Sequence, residues 1–151
     1  MSASRESITL ILDELAAIRE ETETVQPLLS KLKNDEPDSI QLRAVAATLH
    51  AFYTGIERVL ILVAKNIDQH VPDSPHWHRE LLSQMCRSSE NRPKILSPDL
   101  ATLLADYLAF RHVFRHSYSD QFRWALMQPL AGGMTKTLES LRAHLRESLG
   151  A

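Results

Sequence analysis

Residues 39–69, SIQLRAVAATLHAFYTGIERVLILVAKNIDQ, decide the fold class. Apolar side chains fall at Leu42, Val45, Leu49, Phe52, Ile56, Val59, Val63 and Ile67, in steps of three and four. That is the period of an α-helix, close to a coiled-coil seam, and not the strict alternation of a strand. Leu60, Ile61 and Leu62 make the end of the element apolar on several sides, which predicts that this end is buried or lies at an interface. Asp38, with Gln41 three residues on, predicts a capping box at the helix start.

The same reading extends in both directions. Residues 4–33 repeat apolar positions at Ile8, Ile11, Leu12, Leu15, Ile18, Val25, Leu29 and Leu32, with acidic residues between them, and Pro27 is expected to kink or end this helix. NDEPDS (34–39) reads as a turn. HVPDSP (70–75) breaks the chain, with Ser74-Pro75 as a cap and first-turn proline before a short helix carrying Trp77, Leu81, Leu82 and Met85. RSSENRPKI (87–95) reads as a polar, mobile loop. Ser97-Pro98-Asp99 starts another helix, which YSDQ (118–121) should close. Pro129 and Gly132-Gly133 predict a kink or split near the start of the last element. Long helices with short connections predict an all-α, antiparallel up-and-down bundle of four to five helices, in a single domain over residues 1–151, without internal repeats.

Composition bounds the function. Apolar residues make up 44% of the chain and charged residues 24%, the balance of a soluble globular protein. Cys86 is alone, so an intrachain disulfide or cysteine-based zinc cluster is excluded. MSASRESITL lacks a signal-peptide layout, and VLILVA is too short to span a bilayer, so a cytoplasmic protein with no membrane partner is expected. A formal charge of −2 argues against electrostatic coating of nucleic acid. Charge is uneven, however. REETE and NDEPD make the first quarter acidic, whereas Arg111, Arg115 and Arg123 make the later part locally basic.

That basic part contains RHVFRHSY (111–118). On ideal helix geometry of roughly 100° per residue, Arg111, Arg115 and Tyr118 share a stripe, and His116 lies about 140° from Arg111. One straight helix therefore keeps Arg111 and His116 apart. Either the helix distorts near His116, or a second chain completes the site about a two-fold axis. Arginine offers a charged fork for phosphate oxygens, and imidazole can hold or release a proton near neutral pH. On RNA the 2′-hydroxyl is a built-in nucleophile, so a base and an anion stabiliser suffice for cleavage without a metal. The bland alternative is that Arg and His complement a helix C-terminus and Tyr118 sits at a packing boundary.

Arg111, His116 and Tyr118 match an R-x4-H-x-Y motif, and the chain resembles the HepT-like toxins of the HEPN superfamily. His112 fits the polar position after the motif arginine. FYTGIERVLILVAKNID (52–68) looks like the second helix of that family, and HWHRELLSQM (76–85) like the short segment after it. The resemblance implies a HEPN-like dimerising bundle and a metal-independent ribonuclease acting on RNA, tRNA among the candidates. It also implies a nucleotidyltransferase (MNT) antitoxin partner, in a homodimer or a larger hetero-oligomer. Carried over, Arg111 holds phosphate, His116 is the acid/base, and Tyr118 is a site residue and AMPylation target. ATP and Mg would serve the antitoxin; this chain itself needs no cofactor.

Further residues have two readings each. His112 and Arg115 are substrate-binding candidates or solvated side chains. Glu57 orients a site group or pairs with a buried arginine. His70, His76 and His78 invite a zinc reading but lack an obvious acidic or cysteine partner, so no metal is expected. Trp77 is core or interface, or a base-stacking surface. A non-catalytic module that docks a nucleotidyltransferase or a nucleotide, and a purely structural helical dimer, are the rival functions.

Overall fold

In a computed structural model of the chain, which describes residues 3–116 and 122–150, six α-helices carry the fold. They are α1 (Arg5–Lys31), α2 (Ser39–Val63), α3 (Trp77–Met85), α4 (Pro98–His116), α5 (Trp124–Gly132) and α6 (Met134–Leu149). Among the described residues there is no β-strand, only an isolated bridge between Ser89 and Arg92. The all-α class is as expected. The helix number exceeds the expected four to five because the last element is divided. Gly133 ends α5 and starts α6. At this break the Tyr107 hydroxyl donates to the Leu130 carbonyl at 2.7 Å, replacing a bond the divided helix no longer supplies.

α2 is the central element. Its apolar seam, including Val45, Leu49, Phe52, Ile56, Val59 and Val63, is fully covered, chiefly by α1 and α4. The capping box forms: Gln41 N–H donates to Asp38 Oδ1 at 2.8 Å and Asp38 N–H to Gln41 Oε1 at 3.0 Å. At its far end α2 widens into a π-helical turn, Ala64–Asp68, and stops at Gln69 in the left-handed region (φ 56°). Counted through this turn, Ser39–Asp68 is long and apolar enough to cross a bilayer, contrary to the expectation from VLILVA alone. Most of its apolar 18-residue window is buried inside the bundle, the position of a core helix.

Local expectations are corrected at three places. α1 does not end at Pro27 but continues to Lys31, with Val25 and Leu32 buried on either side of the proline, so of the expected kink or end the end is excluded. α3 starts at Trp77, two residues after Pro75, and Ser74 Oγ accepts the His76 N–H at 3.0 Å ahead of it. The 87–95 loop is pinned by its own arginine. Arg92 donates through Nε to Asp68 Oδ1 (2.8 Å) and through Nη2 to Asp68 Oδ2 (2.7 Å), and its Nη1 donates to the carbonyls of Arg87 and Pro93. The π-turn aims Asp68 at that loop.

Candidate functional site at the α2–α3–α4 junction

α4 stays helical through His116, so its side chains fan out at helical angles. Tyr107, Phe110 and Arg111 face inward, whereas His112, Arg115 and His116 are exposed. Arg115 and His116 occupy the last turn, where a cation complements the helix dipole. Arg111 and His116 are thus not brought together within one chain. Tyr118 lies outside the described residues.

Arg111 is only 5% exposed, and its guanidinium is committed on several sides. Nη1 donates to Glu57 Oε1 at 2.9 Å, and Nη2 lies 2.9 Å from His78 Nδ1. The Tyr53 ring lies 5.2 Å from Cζ, within cation–π range. Glu57, itself buried, reaches His78 Nδ1 with its other oxygen, Oε2, at 2.7 Å. One imidazole nitrogen cannot donate to Glu57 and accept from Arg111 at once. The proton on His78 therefore decides which neighbour it binds. Of the three, His78 alone reaches solvent appreciably, with 28% of its side chain exposed.

α2 presents more polar groups to this junction than Glu57. His50, Tyr53, Thr54 and Glu57 follow at helical spacing on an otherwise apolar helix. His50 Nδ1, the Tyr53 hydroxyl and Thr54 Oγ1 are buried and have no hydrogen-bond partner among the described residues. The His50 ring stacks on Phe114 at 4.7 Å between centroids. Burial first, then the charges of Arg111 and Arg115, hold the His50 pKa below its ordinary value. Burial, reinforced by the Glu57 carboxylate, pushes the Tyr53 hydroxyl well above the usual tyrosine range, against the opposing pull of Arg111 and Arg79.

The exposed side of α4 is different in character. The rings of His112 and His116, one turn apart, meet at an angle of 48° with centroids 4.5 Å apart. His112 also borders an open groove between α3 and α4, with His76, His78 and Arg79 on the α3 side and Leu108 and Ala109 as its floor. Sequence reading considered His76 and His78 only as metal ligands and passed over His50. Among the described residues, no cluster of three or more His, Cys, Asp or Glu side chains could hold a metal ion. The signal that could have found His50 and Tyr53 was the interruption of the α2 seam by polar residues three and four apart.

No curated protein and no solved structure matches the chain. A family model does, over residues 44–149, described as HepT-like protein. The match runs from the second turn of α2 to the end of α6 and includes Glu57, His78, Arg111, His112 and His116. With this match over most of its length and its all-helical fold, the chain belongs to the HepT-like proteins of the HEPN superfamily.

Proposed function

We propose that this HepT-like chain is the toxin of a toxin–antitoxin pair, a metal-independent endoribonuclease whose site is completed by a second copy. The observation that carries the reading is the exposed His112–His116 pair at the end of α4, whose rings meet at a tilt with centroids 4.5 Å apart, within a helix that also holds the motif arginine. In the proposed reaction His116 takes the proton of the RNA 2′-hydroxyl. The 2′-oxygen attacks the adjacent phosphorus, the bond to the 5′-oxygen breaks, and that oxygen leaves with the proton that His116 took up, so the imidazole ends as it began. The products are a 2′,3′-cyclic phosphate and a 5′-hydroxyl. Arg111 stabilises the charge on the phosphate with the Nη2 edge that now meets His78, and Arg115 attracts the backbone. DNA, without the 2′-hydroxyl, resists. A dimer suits this chemistry because one chain turns Arg111 inward and His116 outward.

In the same reading an MNT-type nucleotidyltransferase neutralises the toxin. The Tyr118 hydroxyl attacks the α-phosphorus of ATP, pyrophosphate leaves, and AMP remains on the tyrosine. Added bulk and negative charge there oppose entry of RNA phosphate. ATP and Mg belong to the partner's reaction.

Purified protein incubated with tRNA or total RNA in EDTA tests the nuclease. Wild type should cleave, whereas His116→Ala and Arg111→Ala should each lose at least about a hundredfold, the usual contribution of an acid/base group or an oxyanion donor. Equal cleavage by all three rejects these roles. Co-expression with a neighbouring nucleotidyltransferase should add AMP units to wild type but not to Tyr118→Phe, as read by intact mass. One observation favours the non-catalytic docking module instead: Arg111 is buried in an ion pair, as a structural arginine would be. That reading expects no cleavage by wild type and no growth arrest on expression.

A further inference from the structure

We propose that the groove between the start of α3 and the middle of α4 is an anion-binding subsite that takes one backbone phosphate of an RNA strand, beside Arg111 and His116 and built mainly on residues of α3 and its approach. The inference rests on the ribonuclease reading for the identity of its ligand and on the geometry for its place.

Four side chains with cationic or titratable nitrogen, His76, His78, Arg79 and His112, converge on the groove, and no carboxylate lines it. Glu57 Oε2 meets His78 at 2.7 Å, whereas His76, Arg79 and His112 have no carboxylate beside them among the groove's lining residues, a local basic concentration in a chain of net charge −2. His76, Arg79 and His112 are exposed, so their donors are available to a ligand arriving from solvent. The floor of Leu108 and Ala109 offers apolar contact for a sugar. The groove encloses about 380 Å³, within the range of small-ligand sites and enough for a single nucleotide unit.

Its position relative to the motif matters most. His78, on one wall, touches both Glu57 and Arg111. His112, on the other, meets the His116 ring at a tilt, with centroids 4.5 Å apart. Each motif residue is therefore one ring away from the groove, by a different route. A phosphate held by Arg79 and His76 places the neighbouring nucleotides along α4 towards His116.

A fluorescent 2′-O-methyl RNA oligonucleotide, which lacks the reactive hydroxyl, is the probe, and anisotropy as a function of salt is the readout. Arg79→Gln and His76→Gln change exposed side chains and leave the core intact. The double variant should bind at least threefold more weakly than wild type. Its log Kd against log salt should be flatter by about 0.7, the slope of one single-strand phosphate contact. Unchanged affinity and slope in the double variant overturn the proposal. So does displacement of the probe by free AMP that is itself weakened by Arg79→Gln, which would assign the groove to a mononucleotide. The ribonuclease reading is scored separately: it fails if wild type leaves cleavable RNA intact, whatever the binding data say. If His116→Ala abolishes cleavage while the double variant binds normally, only the subsite is lost.

Discussion

Glu57 Oε1 and Arg111 Nη1 are 2.9 Å apart, joining α2 to α4 with both side chains almost fully buried. Removing one partner of such a pair strands an uncompensated charge, at a cost of about 3–5 kcal/mol. Glu57→Gln and Arg111→Ala should each lower the unfolding free energy by about that amount, read as a lower urea midpoint, while Glu57→Leu combined with Arg111→Met should recover much of the loss. A Glu57→Gln protein as stable as wild type would mean that the pair holds nothing in place. This measurement must precede any kinetic reading of Arg111, since an unfolded variant is inactive for the wrong reason.

The Tyr53 hydroxyl is fully buried beside that pair and has no hydrogen-bond partner among the described residues. An unsatisfied buried hydroxyl costs about 1–3 kcal/mol. Tyr53→Phe keeps the ring over Arg111 and deletes the unpaired atom. It should leave stability unchanged or raise it by about 1 kcal/mol, seen as a higher thermal midpoint. Loss of more than about 1 kcal/mol would show that the hydroxyl has a partner after all.

Much of the fold was legible because α2, α4 and α6 bury long helical seams, and a seam of spacing three and four has one reading. The capping box at Asp38 and the break at Gly133 were local and equally plain. The π-turn at Ala64–Asp68 was not, since it answers to a distant loop: Asp68 turns to meet Arg92, twenty-four residues on. The motif residues were visible as residue types, but their directions were not. Arg111 points inward because Glu57 and Tyr53 face it from a helix fifty-four residues earlier. Helical angles alone gave only its separation from His116. The role of His78 escaped because no local pattern links a short third helix to an arginine thirty-three residues later.

His50 gives a pH dependence of defined sign. Its pKa in the folded chain lies below its ordinary value of 6.5. The unfolded chain therefore binds more protons just below pH 6.5, and stability falls as pH drops through that value towards the folded pKa. Above pH 6.5 the contribution is fully present. Denaturation midpoints between pH 7.5 and pH 5 should decline less steeply in His50→Gln than in wild type. Parallel curves for the two proteins would show that His50 keeps an ordinary affinity for protons.

Gly55 marks the closest approach of α1 to α2. A Cβ built there would lie 2.5 Å from Ile18 Cγ1 and 3.1 Å from Ile18 Cδ1. Ile18 is itself 4% exposed and cannot swing away into solvent. Alanine at this position would ordinarily favour the helix by about 0.5–1 kcal/mol, since glycine costs more backbone entropy on folding. Overpacking in a filled core costs about 1–3 kcal/mol, so the clash should win. Gly55→Ala is expected to lower the thermal midpoint by several degrees. In an Ile18→Ala background, where the clashing atoms are gone, the same substitution should become neutral or stabilising. That reversal of sign, read from a double-mutant cycle, separates steric exclusion by Ile18 from any general intolerance of α2 to change. If Gly55→Ala destabilises equally in both backgrounds, Ile18 is not what requires the glycine.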